Sequence, residues 1–360
     1  MKALTIGIAG AGFVAPYHLR AFRACAGVTI GGICDYAPTE RLAELGREYG
    51  LRTYPSFDEL AEDPRIDALV IATRNDQHLA QVMRCQALRK PALVEKPVVL
   101  ELHQLDAIMG SVAKTGIPVM PAHNFVYRGA VRAAWEVVQS QKLGRLVCAS
   151  FGSHHTISAG HMAGWRGKTA LSGGGALMDS GHHQVYQAWY LLGRPQALHA
   201  FQSRLKLHQM AGEDLAQIHL LYAGGAVATI TQSWVTNHGA PVEGIRIVGT
   251  EGWLQVTDAL YVNGERGDTD TAYAASFANQ ARFFLDVVRG KLQPLSTLSD
   301  AREVLALIRA AYHSAAHNCV VHPPFGGYAG RNNPDIDATT VAERTIQGAN
   351  LEEGKAHYLR

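Results

Sequence analysis

Residues 3–15, Ala3-Leu4-Thr5-Ile6-Gly7-Ile8-Ala9-Gly10-Ala11-Gly12-Phe13-Val14-Ala15, read as a strand that breaks into a glycine turn and enters a helix. Each small residue answers a physical need. Gly10 allows the tight strand-to-helix turn, Gly12 lets backbone approach a pyrophosphate, and Ala15 permits close packing of helix on strand. The helix would then turn its unpaired N–H groups and positive dipole end toward the phosphates. In a chain with 36 Gly such a turn can also be merely structural. Its context favours a dinucleotide: a second strand, Val28 to Cys34, ends in Asp35, about twenty residues beyond the turn, where a carboxylate can grip a ribose 2′-hydroxyl. Gly10, Gly12, Phe13, Val14 and Asp35 are the expected cofactor contacts. No Arg or Lys follows directly in Tyr36-Ala37-Pro38 to meet a 2′-phosphate, so NAD is expected over NADP.

Outward from this turn, residues 1–122 alternate strand-like runs (3–9, 28–34, 66–72, 91–94, 117–120) with helical runs near 13–26, 38–49, 76–88 and 101–115. That pattern predicts a doubly wound parallel sheet covered on both faces, with ligands at the carboxyl ends of its strands. After a helix at about 129–141 the texture changes. Long β-prone runs at 145–157, 196–209, 214–222, 225–236 and 242–249 predict a large open, mainly antiparallel sheet, interrupted by a helix over 176–192 and followed by helices at 274–289 and 299–317. The division expected is 1–122 for the dinucleotide, 123–325 for substrate and assembly, and 326–360 as a Gly-, Asn- and acid-rich arm.

Composition sets the outer limits. A chain of 360 residues exceeds the range over which one core usually grows, which agrees with two domains. A formal net charge of +2 and the lack of a basic run interleaved with aromatics argue against nucleic acid. The five cysteines are scattered without C-x-x-C spacing, which suits reduced thiols in the cytoplasm. No run is apolar for long enough to span a membrane.

The chemistry-bearing residues follow strand ends. Glu95-Lys96-Pro97 places a lysine at the cofactor edge, its turn locked by proline, which can take a cis bond. Taken alone, the tripeptide is equally a solvated turn. Thr73-Arg74-Asn75 with His78 follows the third strand and is either part of the site or a capped helix start. In Gly173-Gly174-Gly175-Ala176-Leu177-Met178-Asp179-Ser180-Gly181-His182-His183, Asp179 and His183 stand four apart and so are expected on one helix face, the carboxylate orienting the imidazole as a general base. An interior Asp–His bond would have the same spacing.

Together these pieces resemble the Gfo/Idh/MocA oxidoreductases over residues 3–325. The likeness rests on the glycine turn with His18, Thr-x-Asn-x-x-His at 73–78, Glu-Lys-Pro at 95–97, His123-Asn124, Trp165-Arg166, the glycine run through His183, and Ala310-Ala311-Tyr312-x-Ser314. It implies a Rossmann domain beside an α/β domain whose open sheet often forms subunit contacts, hence a homodimer or homotetramer. It also implies Lys96, Asp179 and His183 as the catalytic group, and Thr73, Asn75, His78, Glu95, Lys96 and Asn124 as further cofactor contacts. The implied substrate contacts are Lys96, His123, His155, Trp165, Arg166, Asp179 and His183, toward a secondary hydroxyl of a sugar, glycoside or cyclic polyol. The family also performs redox-neutral glycosidase or lyase chemistry with a recycled NAD, and includes non-catalytic ligand sensors. Two departures stand out: Arg74 occupies a slot where the family usually has proline, and Val126 one where many relatives have arginine, with Arg128 two residues later. His154, His155, His161, His182 and His183 could supply a metal site, but without a neighbouring Cys or carboxylate cluster sugar-hydroxyl or solvent contacts are expected and no metal is. Trp165 suits the floor of a sugar site or an ordinary buried position.

Overall fold

The computed structural model of the chain describes residues 3–236 and 243–328. The expected C-terminal arm lies outside the described residues from 329 onward. Strands β1 (Leu4–Ala9), β2 (Val28–Cys34), β3 (Thr53–Tyr54), β4 (Ala68–Ile71), β5 (Ala92–Val94) and β6 (Val119–Pro121) pair in parallel in the order β3-β2-β1-β4-β5-β6. Helices α1 (Ala15–Arg23), α2 (Glu40–Tyr49), α3 (Phe57–Glu62), α4 (His78–Ala87) and α5 (Leu102–Thr115) make the crossovers. Every residue of β4 and β5 is buried, as strands covered on both faces must be. The strand order reverses between β1 and β4, which opens a crevice at their carboxyl ends. β3 and α3 are not in the sequence reading, because two and six residues are too short to establish a period. Helix α2 starts behind Thr39, whose hydroxyl accepts from Leu42 N, and Pro38 lies just outside it.

The second sheet runs β14-β13-β12-β11-β7-β10-β9-β8, after α6 (Gly129–Gln139). Its strands are β7 (Leu146–His154), β8 (Ala197–Ser203), β9 (Leu215–Leu221), β10 (Val227–Ser233), β11 (Gly244–Gly249), β12 (Trp253–Val256), β13 (Leu260–Val262) and β14 (Glu265–Arg266). Between β7 and β8 come α7 (Ala159–Ala163), α8 (Thr169–Ser172) and α9 (His182–Leu192). All neighbours are antiparallel except the central pair β7 and β10. Alternation decides which face is covered. Ala216, Ile218, Leu220, Ala228 and Ile230 are buried, whereas Phe201, Leu221, Val227, Val248 and Trp253 stand exposed on the opposite, open face.

Two last helices, α10 (Tyr273–Val288) and α11 (Leu298–His317), return to the first sheet. Tyr17 of α1 stacks on Phe277 at 5.2 Å and Phe22 meets Phe284 edge-on at 6.1 Å. Arg302 pairs with Asp106 at 2.6 Å and Arg309 with Glu101 at 2.8 Å, joining α11 to α5. One buried apolar cluster therefore runs through both sheets. Among the described residues no helix is long and apolar enough to cross a membrane.

Candidate active site

At the crevice lies a cleft of about 610 Å³, and residues from both sheets line it. Gly10 has φ +105°, and a Cβ there would fall 2.2 Å from the Ala72 carbonyl oxygen, so the turn requires glycine. A Cβ on Gly12 would meet nothing within 4 Å: the space before it is an open cradle. No side chain caps the start of α1 behind Val14, Ala15 N and Tyr17 N donate to the Gly12 and Val14 carbonyls, and Pro16 has no N–H, so an anion here would meet the backbone of the glycine turn and the positive end of the helix dipole. Phe13 and Asp35 line the same space. This arrangement fits the pyrophosphate and ribose of a dinucleotide.

Asp35 is half-buried and accepts from Tyr36 N at 2.8 Å, while burial pushes its carboxyl above the ordinary range. A second negative charge on a ribose 2′-phosphate would meet it at close range. In an Asp35→Ser variant, the affinity ratio of NAD to NADP should narrow by about tenfold or more. Titration calorimetry with both nucleotides measures this, and NADP preferred by the unmodified protein would overturn the assignment.

Thr73, Asn75, Glu95, Lys96 and Asn124 all reach the cleft. Thr73 donates to Gln81 at 2.6 Å, and Asn75 donates to the Ser172 carbonyl at 3.0 Å, joining the first sheet's loop to α8. Glu95 is bonded to His18 at 2.8 Å. Arg74, at the slot expected for proline, is held by Asp76 through contacts of 3.0 and 2.8 Å. Two expected residues are elsewhere. His78, expected as a cofactor contact, is 0% exposed and its ring nitrogens lie 3.0 Å from the Pro97 carbonyl and 3.2 Å from that of Thr73. It pins two loops together instead. His123, expected at the substrate, is also 0% exposed, with Nδ1 2.7 Å from Ser296 Oγ and its ring stacked on Tyr186 at 4.4 Å. Both imidazoles make interior contacts that sequence spacing does not reveal, His78 through both ring nitrogens and His123 through Nδ1.

The Lys96–Pro97 peptide is cis. Lys96 Nζ donates to Asp179 Oδ1 and to the Asp179 carbonyl, each at 2.9 Å, leaving its third N–H for a ligand. Arg166 Nε lies 3.3 Å from the other carboxylate oxygen, and its guanidinium covers the Trp165 ring at 4.4 Å. Trp165, Arg166, His155 and Ser180 also line the cleft, with Ser180 Oγ 3.4 Å from His155 Nε2.

Asp179 is not on a helix. Helix α9 starts at His182, six residues later than the expected start at 176. The turn before it is anchored by Glu213, which is fully buried and accepts from Leu177 N at 2.7 Å and Gly175 N at 3.2 Å. Tyr312 Oη donates to Glu213 at 3.0 Å and accepts from Met178 N at 3.2 Å. These are first-turn amides that a helix starting at 176 would also leave free; the break comes further on, where Gly181 N reaches back five residues to the Ala176 carbonyl at 2.8 Å in place of that of Leu177. A Cβ on Gly175 would stand 2.2 Å from the Glu213 carbonyl oxygen, which accounts for the end of the glycine run.

His183 therefore takes its orientation from a different group than expected. Its Nδ1 lies 2.7 Å from Tyr186 Oη, while the Asp179 carboxylate faces Lys96 and Arg166. Directions along this chain of bonds can be assigned one by one. Ser276 Oγ donates to the Tyr273 carbonyl at 2.6 Å, so it accepts from Asn124 Nδ2 at 2.8 Å. Asn124 then presents Oδ1 to Tyr186, whose hydroxyl donates to it at 3.2 Å. With its one proton used, Tyr186 Oη accepts from Phe125 N at 3.0 Å and from His183. His183 must carry its proton on Nδ1, and Nε2 is left as a bare lone pair. Burial, Lys96 and His182 hold its pKa well below the ordinary value, so this neutral form is the resting one. Tyr186 and Ser276 are absent from the sequence reading. Tyr186 stands three residues beyond His183, a spacing that could have suggested contact; Ser276 lies in a distant helix and carried no signal.

Neighbouring histidines share that neutrality. Burial lowers the pKa of His78 and His182, and that of His123 to about 3. Folded values below the unfolded one, about 6.5, mean that the unfolded chain binds more protons as pH falls. Stability is thus full above about 6.5 and is lost progressively below it. Glu213, raised to about 7 by burial, works the other way as one group against three. Urea midpoints measured from pH 7 down to about 5 should fall steadily, and a flat or rising series would contradict these buried neutral rings.

Comparison with known proteins gives the family and the fold. Residues 4–123 match the model described as "Oxidoreductase family, NAD-binding Rossmann fold", and residues 131–255 match "GFO/IDH/MocA C-terminal domain". A D-apiose dehydrogenase of Rhizobium rhizogenes is 27% identical over 344 residues, 89% of this chain and 98% of that protein. A 1,5-anhydro-D-fructose reductase of Ensifer adhaerens is 25% identical over 251 residues, 69% of this chain and 74% of the relative. Among solved structures, levoglucosan dehydrogenase in complex with NADH and levoglucosan superposes with a TM-score of 0.79 at 24% identity, covering 89% of this chain and 99% of the other.

Proposed function

Because the chain belongs to the GFO/IDH/MocA family of NAD-binding oxidoreductases, we propose that it moves a hydride between a secondary hydroxyl carbon of a sugar, glycoside or cyclic polyol and nicotinamide. The observation that carries this reading is the meeting of Lys96, from the end of β5, with Asp179 and His183, from the second sheet's side, in the cleft that Gly12 and Asp35 also line. The carbohydrate class is supported by the names of the relatives, an apiose dehydrogenase and an anhydrofructose reductase.

Bound NAD supplies the hydride acceptor. The bare Nε2 of His183 takes the hydroxyl proton, and the imidazolium so formed keeps its Nδ1–H bond to Tyr186. Lys96 donates its remaining N–H to the same oxygen and steadies the developing alkoxide charge. Asp179 holds Lys96 in place, and Arg166 shares the carboxylate. His155, Trp165 and Arg166 contribute the surrounding sugar contacts. In this reading the open face of the second sheet is where copies of the chain meet, in a homodimer or homotetramer.

Incubation with NAD and a panel of sugars, glycosides and inositols, reading NADH absorbance and product mass together, tests the proposal. Net NADH with an oxidised product supports it. A changed sugar without NADH would identify redox-neutral chemistry with a recycled cofactor, and NAD binding without any product would identify a sensor.

A further inference from the structure

Next to the cofactor cleft, and sharing Phe13, His155, Ser180, His183 and Tyr273 with it, lies a second chamber of about 810 Å³ against β11 and β7. Arg128 lines it. The guanidinium carbon sits 3.6 Å from the centre of the Phe125 ring, and the same ring stacks on the His183 imidazole at 4.4 Å. Two groups so close to one ring centre cannot share a face. Phe125 is therefore sandwiched between the proposed base and a cation.

This cation differs from the others nearby. Lys96 and Arg166 face Asp179, Arg74 faces Asp76, and Arg246 donates to the Glu243 carbonyl at 3.0 Å. Arg128 is half-buried, its Nε is buried without a hydrogen-bond partner, and among the described residues it forms no ion pair. A half-buried guanidinium that no carboxylate contacts, with Asp270 acting on it only from beyond ion-pair distance, is poorly compensated, and its planar fork matches a carboxylate. Glu243 also lines the chamber, and its charge weighs against a dianionic phosphate there.

Resting on the hydride-transfer reading above, we propose that Arg128 receives a carboxylate of the substrate, so that the preferred substrates are acidic sugars, uronic or aldonic acids, whose reacting hydroxyl lies at His183. Phe125 then serves as the spacer. Hydroxyl and carboxylate on one sugar-sized molecule reach the groups on its two sides.

The test uses the full chain with NAD and matched probes: D-glucose with D-glucuronic acid, D-galactose with D-galacturonic acid, and glucose 6-phosphate. We expect an acid to exceed its neutral partner in kcat/KM by about tenfold or more. Arg128→Met should raise KM for the acid by a similar factor with little change in kcat, bringing the acid-to-neutral ratio near one. Arg128→Lys, which keeps the charge without the fork, should recover part of the preference and serves if the methionine variant does not fold. Preference for the neutral or phosphorylated partner throughout, or an unchanged ratio in the variants, would overturn the proposal. Should no sugar be turned over, the hydride-transfer reading fails by itself. Arg128 is then judged by thermal shift of the NAD complex: stabilisation by an acid sugar that is lost in the variants upholds the carboxylate site, and absence of that shift removes it.

Discussion

Turnover falls roughly 10²- to 10⁴-fold in a His183→Ala variant, the scale of a lost general base, while NAD affinity stays within about a factor of two. The separation follows from position. His183 lines both chambers and lies beside Phe125, away from the glycine turn and Asp35, so its loss removes the proton acceptor and leaves the nucleotide's contacts in place. A companion variant, Tyr186→Phe, isolates the role of the tautomer. Without the hydroxyl, nothing accepts the Nδ1 proton, and the imidazole can present N–H instead of a lone pair to the substrate. We expect kcat to drop by about tenfold with KM nearly unchanged and the acidic limb of the pH–rate profile displaced. A folded His183→Ala enzyme with near-normal kcat at saturating substrate would move the base role to Lys96. An unaltered pH profile in Tyr186→Phe would remove the relay from the mechanism.

Lys96→Ala has a comparable effect of roughly 10²- to 10³-fold on kcat, because a charge aimed at the developing alkoxide is lost from a site where little water competes. Unlike the histidine, this residue touches both halves of the reaction. Its side chain is 11% exposed, lines the nucleotide cleft, and bonds twice to Asp179, so NAD affinity weakens as well. Lys96→Arg should not rescue turnover, since a planar fork cannot reproduce three tetrahedral donors in that space. Asp179→Asn costs less than either, for Lys96 keeps the Asp179 carbonyl as a partner. Single-turnover kinetics with nucleotide titrations separate the two effects, and a Lys96→Ala enzyme losing affinity but not rate would make the lysine a cofactor grip alone.

What could be read from the chain was mostly local. The turn at Gly10, the acid at Asp35 and the lysine behind β5 are legible because each lies within a few residues of a strand end, where the parallel fold puts its ligands. The short strands β12 to β14 escaped, whereas β5 and β6, no longer than β12 or β13, were legible because helical runs alternate with them. At the site, the reading of Asp179 and His183 as one helical face went wrong because Gly181 N bonds the Ala176 carbonyl in place of that of Leu177, in a turn that Glu213, distant in sequence, anchors from outside. His78 and His123 were misplaced in the same way. An imidazole beside a strand end is equally suited to binding a ligand or to tying loops, and partners such as Ser296 or the Pro97 carbonyl become visible only when distant segments are brought together. The relay through Asn124 to Ser276 spans 152 positions and has no local signature.

The uncovered face of the second sheet, with Phe201, Leu221, Val227, Val248 and Trp253 in water, bears on how the protein's heat resistance should be understood. Where copies associate through that face, folding and encounter become one equilibrium, and mass action favours the folded side as chains become more numerous. A melting temperature is then a property of the solution as much as of the molecule: it climbs with concentration, and dilution alone weakens the fold.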